Sequence, residues 1–427
     1  MTDKQLPFSL PDEAPSLPEE EGLGRRRSLA LVPRLKKQGY DRKQVAVRRA
    51  WIEQQTSCGL PHVGSFSVSS EEMRGNVENP IGVAQVPLGV AGPLRVVGEH
   101  AEGDFFVPLA TTEGALVRSY ERGMVVITRS GGVTTRLLSD QNRVCPMLLF
   151  EDVAAAAEFS ETTLSRLPEL REVAASTTHH GRLLGAEVRQ IGRRVILDLR
   201  FFTADAQGMN MSVKAAEAVC QRLKATSKAQ RYTIFSGYDS EKRASGSLFA
   251  GGKGKRVTAG VRIPRRLAKT FFRVAPEALV QLWQDTVIGH IEASALGYNG
   301  HLANGLTAVF IACGQDVANV ANAAVGITTF EVDGDGDLYA SVTLPSMTVA
   351  TVGGGTAQGT ARECLEMLGC YGTGGGPKLA EIVAGTLLAG ELSFGAAIVS
   401  QEFVAAHETL GRNRPRAAPG PSSEEES

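Results

Sequence analysis

The sequence predicts an α+β fold with a large domain around a long central helix, a smaller inserted domain of ferredoxin-like order, and a small helical N-terminal domain. The chain has 427 residues, more than one hydrophobic core usually serves. Between about residues 144 and 235 the apolar pattern follows the order strand, helix, strand, strand, helix, strand, which is typical of the split β-α-β unit. Segment 301–323 is apolar almost all round, which indicates a helix buried in the core.

The domain boundaries follow shifts in composition. The two ends of the chain are acidic and rich in proline, so we expect them to be disordered. The predicted division is a tail at 1–24, the helical N-terminal domain at 25–77, the large domain at 78–143 and 236–410, the inserted domain at 144–235, and a second tail at 411–427.

The individual elements follow from hydrophobic periodicity and from glycine and proline punctuation. Strand patterns lie at 83–94, 105–109, 147–150, 183–189, 194–202, 232–235, 257–263, 328–332 and 338–344. Helical patterns lie at 154–167, 212–226, 264–274, 278–294, 301–323, 360–368 and 378–407, with a further helix beginning near Glu113.

Composition excludes several function classes. Hydrophobic residues make up 43% of the chain, charged residues 21%, and the net charge is −1, so no global field favours nucleic acid or an anionic membrane. The six cysteines form no CxxC pair, which argues against a disulfide framework or a zinc site and favours a reducing cytoplasm. The N-terminus lacks the pattern of a signal peptide, and no run of about 18 apolar residues occurs. We therefore expect a cytoplasmic protein with no membrane and no metal.

Glu113 stands at the most informative position. It follows a strand and two threonines, Thr111 and Thr112, and precedes a helical pattern. One interpretation is an acid of the first helical turn, with the threonines as caps. The other is a partly buried carboxylic acid whose pKa is raised by desolvation, which can donate a proton near neutral pH.

Four other stretches carry candidate chemistry. The glycine loop at 205–211 precedes a helix and offers free N–H groups to a phosphate, although it also reads as an ordinary turn. No GxGxxG follows a strand, so a dinucleotide would not bind in a Rossmann fold. Asp316 ends an apolar segment and requires a partner such as Lys242 or Glu113. His301 and Asn304 share a helix face, as core hydrogen-bonders or as ligands.

Eight segments in order resemble hydroxymethylglutaryl-CoA reductase, and the resemblance runs from about residue 25 to 415. The Ala-Thr-Thr-Glu-Gly form at 110–114 is similar to class I of that family. The resemblance implies the inserted ferredoxin-like domain as the dinucleotide-binding part, and the soluble catalytic portion only. The matching segments are 78–82, 87–93, 110–114, 205–211, 297–299, 314–316, 351–356 and 389–393.

The resemblance also implies the catalytic residues. These are Glu113, Lys242, Asp316 and His407, which would act on hydroxymethylglutaryl-CoA in two successive hydride transfers to give mevalonate and CoA. Lys242 lies in Glu-Lys-Arg-Ala where class I members have Asp-Lys-Lys-Pro, and its position follows from counting back from the Gly-Lys-Gly-Lys at 252–255. Asp316 would pair with Lys242 and hold Glu113, so Glu113 is expected beside both rather than facing solvent.

Cofactor and substrate residues follow in the same way. The implied cofactor is NADPH, with NADH as the alternative, because His179 stands where many class I members have an arginine for the extra phosphate. The resemblance implies a homodimer, or an oligomer built from dimers, with active sites at the subunit interface. The implied cofactor-binding residues are Asp205, Gly208, Met209, Asn210, His179, Gly353, Gly354 and Gly355. The implied substrate-binding residues are Ser119, Arg143 and Asn304.

Two other functions are compatible with the sequence. Departures from the family pattern near Lys242 and at His179 allow a related oxidoreductase with another acyl chain, another cofactor preference or the oxidative direction. A non-catalytic protein that binds CoA or a nucleotide would have lost the acid–base residues, whereas all four positions are present.

Overall fold

The computed structural model describes residues 32–33, 39–178 and 180–402. Its elements are helices and largely antiparallel strands, as an α+β fold requires. The ten strands are β1 Leu88–Val97, β2 Glu102–Ala110, β3 Val133–Val144, β4 Met147–Leu149, β5 Arg182–Ile191, β6 Arg194–Phe202, β7 Arg231–Thr233, β8 Gly254–Ile263, β9 Ile327–Val332 and β10 Leu338–Met347. The helices are α1 Arg42–Thr56, α2 Pro61–Gly64, α3 Leu116–Arg129, α4 Val153–Thr163, α5 Leu167–Ala175, α6 Met209–Thr226, α7 Ser247–Ala250, α8 Arg265–Leu267, α9 Pro276–Glu292, α10 Leu302–Ala312, α11 Val320–Ala323, α12 Gly359–Met367 and α13 Gly375–Val399.

The strands follow the order β7-β4-β6-β3-β8-β10-β9, with β1 and β2 beside β3 and with β5 beside β6. The long strand β3 belongs to both parts of this arrangement. Its residues 133–134 pair with β1, residues 134–141 pair with β8, and the last three residues, 142–144, pair with β6. Each part has a hydrophobic cluster of its own, one around α13 and one between the strands β4 to β7 and their helices.

The smaller part has the predicted element order, except that two helices, α4 and α5, stand where the sequence predicts one helix over 154–167. Strand β4, helices α4 and α5, strands β5 and β6, helix α6 and strand β7 follow one another. The strands lie in the order β7-β4-β6-β5, and every neighbouring pair is antiparallel. Helix α6 begins where the glycine loop at 205–208 ends, so this part presents that loop toward the larger one.

The long buried helix is α13, and the prediction of one central helix over 301–323 is wrong. That segment breaks after α10 because Gly314 adopts a left-handed conformation with φ 62°, and α11 resumes at Val320. Helix α13 has 25 residues and packs against α3, α9, α10 and strands β3, β8 and β10. In the described part of the chain it is the one helix long and apolar enough to cross a membrane, yet 78% of its most apolar stretch is buried inside the protein.

Several predicted boundaries shift. The strand predicted from 83 begins at Leu88, and the helix predicted over 264–274 is a short α8 followed by a π-helical turn, Ala268–Phe272. In the N-terminal region Val45 of α1 is buried, whereas Val47 is 53% exposed. The buried Arg48 donates hydrogen bonds to the carbonyls of Gly39 and Pro80 and so ties α1 to the rest of the chain.

The helix after Glu113 begins later than predicted. Helix α3 starts at Leu116, and the residue before it, Ala115, has φ 67°. The side chain of Thr111 accepts a hydrogen bond from the backbone N–H of Glu113, so it caps a turn that precedes the helix. Glu113 therefore lies on an exposed turn between β2 and α3.

Candidate active site

A groove of about 800 Å³ brings together most of the predicted site residues. Four of the chain segments in its walls are the N-terminus of α6, the loop around residue 242, the turn after α10, and the glycine loop at 353–355. The predicted residues that line the groove are Gly208, Met209, Asn210, Lys242, Asp316, Gly353, Gly354 and Gly355.

Lys242 and Asp316 form an ion pair inside the groove. The Nζ atom of Lys242 lies 2.8 Å from Oδ2 of Asp316, with 47% and 34% of the two side chains exposed. The hydrogen bond to Asp316 raises the pKa of Lys242, against a smaller opposing effect of burial. Lys242 therefore presents an ammonium group to the groove at neutral pH. The predicted pairing of the aspartate with this lysine is confirmed.

The backbone that carries Lys242 is held from two sides. Lys242 has φ 56°, a left-handed conformation that is unfavourable for a side chain with a Cβ atom. Its N–H donates to Oδ1 of the buried Asn322 at 3.2 Å, and the Nδ2 atom of Asn322 donates to the carbonyl of Ser346. On the other side, the neighbouring Glu241 accepts a hydrogen bond at 2.8 Å from Lys253, which is fully buried.

Glycines bring two walls of the groove into contact. A Cβ atom on Gly314, which has φ 62°, would lie 2.5 Å from the carbonyl oxygen of Gly355. Only glycine allows this approach, which places the turn of Asp316 against the glycine loop. Around Gly353 and Gly354, in contrast, the space that a Cβ atom would occupy is open, so a bound molecule can lie against the backbone there.

The residue Asp205 lies behind the groove rather than in it. Its carboxylate accepts hydrogen bonds from the N–H groups of Gly374 at 2.9 Å and Gly376 at 3.0 Å, which form the N-terminus of α13. Its carbonyl accepts from the N–H groups of Thr351 and Val352. Asp205 thus joins the loop before α6 to the glycine loop and to the long helix, and it is 9% exposed.

Glu113 lies in a separate cavity of about 250 Å³. Its Oε1 atom accepts a hydrogen bond from Nδ2 of Asn304 at 3.2 Å, and Ser119 also lines this cavity. Within one chain Glu113 does not lie beside Lys242 and Asp316, because those two residues line the other groove. The described side chains also leave Glu113 exposed to solvent, rather than partly buried.

Arg143 is committed to an internal ion pair. It makes a bidentate contact with Asp198 at 2.8 and 2.7 Å, and both side chains are almost completely buried. A third bond, at 2.9 Å, goes to the carbonyl of Gly251. Burial disfavours the guanidinium, but the bonds to Asp198 outweigh it and raise the pKa of Arg143. The structure therefore places this predicted substrate-binding residue behind the Lys242 loop and not on the groove surface.

Two predicted residues, His179 and His407, lie outside the described residues. Two residues outside the predicted catalytic and binding sets stand out instead: His301, for which the sequence left a core role and a ligand role open, and Glu391. His301 lines the Glu113 cavity, and its Nδ1 atom lies 3.2 Å from Oε1 of the buried Glu391. The signal was present in part, because Glu391 falls inside a matched motif at 389–393 and His301 shares a face with Asn304.

Comparison with known proteins decides the family. A model of hydroxymethylglutaryl-coenzyme A reductase matches residues 44–412. The chain belongs to the hydroxymethylglutaryl-coenzyme A reductase family. It is 40% identical over 383 residues to the 3-hydroxy-3-methylglutaryl-coenzyme A reductase of Pyrococcus horikoshii, covering 88% of this chain and 93% of the relative. With that of Methanothermobacter thermautotrophicus it shares 40% over 371 residues, covering 86% and 93%.

Solved reductases of this family share the fold at lower identity. A class II reductase from Streptococcus pneumoniae, described as bound to NADPH in open conformations, superposes with a TM-score of 0.63 at 22% identity. That comparison covers 84% of this chain and 99% of the other. The resemblance that the eight sequence motifs indicate is thereby confirmed as membership of the reductase family.

Proposed function

We propose that the chain reduces hydroxymethylglutaryl-CoA to mevalonate and CoA, with NADPH as the hydride donor. The observation that carries the proposal is the Lys242–Asp316 ion pair at 2.8 Å, in the same groove as the N-terminus of α6 and the glycine loop. The test is to incubate the purified protein with hydroxymethylglutaryl-CoA and reduced cofactor and to follow the loss of absorbance of the reduced nicotinamide. No oxidation with NADPH or NADH would refute the proposal.

The groove fits a nicotinamide dinucleotide. The first N–H groups of α6, at Met209 and Asn210, face it with the positive end of the helix dipole, and the open space at Gly353 and Gly354 admits a planar or phosphate group against the backbone. When bound, the dinucleotide supplies the hydride. We propose that the smaller part, with its strand order β7-β4-β6-β5, is the inserted ferredoxin-like domain that holds it.

NADPH is the proposed cofactor, ahead of NADH. Support comes from the position of His179, which matches the region that would hold the extra phosphate and can bind it when protonated. The ratio kcat/KM measured with each cofactor between pH 6 and 8 tests this preference. A preference for NADPH that grows as the pH falls supports His179 as the phosphate ligand, and the same ratio at every pH argues against it.

The residues divide the acid–base work. The ammonium of Lys242 would stabilise the negative charge that develops on the thioester oxygen, because a fixed cation acts most strongly where charge appears in the transition state. Asp316 holds that ammonium in place and keeps it protonated. The first hydride transfer releases the CoA thiolate, which His407 would protonate, and leaves an aldehyde intermediate, mevaldehyde. In the second hydride transfer Glu113 would give a proton to the oxygen of that aldehyde.

The separation of Glu113 from Lys242 supports a site shared between two subunits. The two residues line different cavities of one chain, yet the reaction needs both at one substrate. We propose a homodimer in which Glu113 of one chain faces the groove of the other. Exposed apolar side chains beside the Glu113 turn are consistent with a covered surface: Leu88, Val90 and Phe106 are 54%, 52% and 53% exposed.

Subunit mixing tests this arrangement directly. Glu113→Gln and Lys242→Ala should each have only a small residual activity as homodimers, so any large recovery of activity after mixing must come from mixed dimers. If the two residues of one site come from different chains, each mixed dimer contains one intact site, and random exchange returns about a quarter of the wild-type activity. If they come from one chain, every site carries a substitution and the mixture stays inactive.

A further inference from the structure

The cavity beside Glu113 contains a histidine whose orientation is fixed from behind. His301 lies just before α10, and Asn304, one helical turn later, holds the carboxylate of Glu113. His301 is the residue before the first turn of α10 and Asn304 lies in that turn, so both side chains belong to the same end of the helix. His301 and Glu113 line the same cavity of about 250 Å³, which has room for a few water molecules between them.

A buried carboxylate determines which ring nitrogen of His301 carries hydrogen. Glu391 is 4% exposed and accepts from the backbone N–H of Gly300 at 2.7 Å and of His301 at 2.8 Å, from the hydroxyl of Thr328 at 3.1 Å, and from Nδ1 of His301 at 3.2 Å. Burial raises the pKa of Glu391, but these hydrogen bonds outweigh it and hold the pKa below its usual range. An ionised carboxylate only accepts, so Nδ1 carries the hydrogen and Nε2 is the nitrogen left for the cavity.

Aromatic packing holds the ring in this position. The imidazole stacks on Tyr120 with 5.5 Å between centroids and 12° between planes, and it contacts Phe394 at 4.8 Å. Two glycines make room for Tyr120, since a Cβ atom on Gly305 or Gly390 would lie 2.4 or 2.5 Å from its side chain. The ring therefore has one orientation, supported on a carboxylate of the long helix α13.

We propose that His301, oriented by Glu391, returns a proton to Glu113 after each aldehyde reduction. This inference rests on the proposed function, in which Glu113 gives its proton to the aldehyde oxygen. The Nε2–H bond of the imidazolium then breaks, an O–H bond forms on Glu113, and the ring is left neutral with its Nδ1–H on Glu391. Solvent entering the cavity restores the proton on Nε2. His301 acts through Glu113 and is a relay residue.

The charges around the ring suit this task. The carboxylate of Glu391 lies against Nδ1 of the ring, and Arg122 is engaged by the carbonyl and hydroxyl of Ser393 and by Glu402. The side chain of Arg118 pairs with Glu121. The titratable and charged groups that face the cavity or the ring are Glu113, Arg118, Tyr120, Arg122, Glu391 and Glu402.

The test uses the second half-reaction, the reduction of mevaldehyde by NADPH, with the full-length protein. His301→Ala removes the relay and leaves a space open to the cavity. We expect kcat to fall at least about tenfold, in line with the loss of a general acid–base group. Added imidazole should restore part of the rate and saturate with concentration. The control is His290→Ala, which removes a partly buried histidine that packs on Tyr298 outside this cavity and should leave kcat unchanged.

A double substitution separates a relay from a structural role. In the Glu113→Gln background the relay has no acceptor, so adding His301→Ala should lower the residual rate no further, and imidazole should have no effect. A His301→Ala protein with kcat within twofold of wild type overturns the proposal, and so does a loss that multiplies in full with that of Glu113→Gln. His301→Gln, checked by thermal melting, replaces the alanine variant if the latter does not fold. An inactive wild-type protein refutes the proposed function instead.

Discussion

The Nζ atom of Lys242 lies 2.8 Å from Oδ2 of Asp316, and the backbone of Lys242 has a φ angle of 56°. A left-handed conformation at a residue other than glycine costs free energy, and a half-exposed ion pair contributes less than about 1 kcal/mol to stability. The free energy contributed by the ion pair therefore does not offset the cost of the left-handed backbone at Lys242. Strain of this kind persists where the surrounding structure fixes a side chain for a chemical task, and here Asn322 and the Glu241–Lys253 pair provide that support.

Replacing Lys242 should slow turnover strongly without unfolding the protein. Lys242→Ala should lower kcat for hydroxymethylglutaryl-CoA by about 10²–10³-fold, the effect of removing one group that stabilises an oxyanion. The free energy of unfolding should change by less than about 1 kcal/mol, because the ion pair is partly exposed. The matched control is Arg243→Ala at the next position, whose guanidinium lies over the ring of Phe235. Equal losses of kcat in the two variants would show that the role assigned to Lys242 is wrong.

Asn322 should matter for the rate through the position of Lys242. Asn322→Ala leaves the N–H of Lys242 and the carbonyl of Ser346 without their buried partner, at a cost of about 1–3 kcal/mol in the free energy of unfolding. We expect kcat to fall more than KM changes, because the ammonium loses its fixed position. Urea unfolding and steady-state kinetics measure the two effects, and Asn322→Asp keeps the acceptor for Lys242 as a comparison. An unchanged kcat would show that the loop keeps its conformation unaided.

The sequence predicts the parts of this site that depend on local pattern and misses those that depend on contacts across the chain. The glycine loops, the need of Asp316 for a partner and the order of strands and helices around residue 200 follow from the local sequence pattern. The sequence does not predict the break after α10, because an apolar segment with a single Gly-Gln-Asp interruption has the pattern of a continuous helix. The break depends on the close approach of Gly314 to Gly355, which lies far away in the sequence. Likewise no local pattern shows that Arg143 pairs with Asp198, which is 55 residues away.

Asp205 gives a sharper contrast between pattern and structure. The sequence groups it with the cofactor-binding residues, whereas its carboxylate joins the N-terminus of α13. Asp205→Asn should lower the free energy of unfolding of the cofactor-free protein by about 1–3 kcal/mol, because charge-assisted bonds at a helix N-terminus are lost. The control Asn210→Ala, on the groove surface, should weaken NADPH binding and leave that free energy nearly unchanged. If Asp205→Asn leaves stability unchanged and weakens NADPH binding, Asp205 is a direct ligand of the cofactor after all.

The ionised Glu391 should stabilise the folded protein, and this contribution should be lost at acid pH. Its pKa lies below the usual range in the folded protein, so its contribution is fully present above the unfolded value, about 4.3, and is lost as the pH falls through the lower folded value. Glu391→Gln removes that contribution. The difference in free energy of unfolding between the wild type and Glu391→Gln should therefore be largest above about pH 5 and should narrow toward pH 3. Urea titrations across this interval measure it, with Glu331→Gln, an exposed carboxylate on β9, as the control. A difference that stays constant with pH would mean that Glu391 is protonated in the folded protein, and the imidazolium of His301 would then lose the counter-charge that the relay requires.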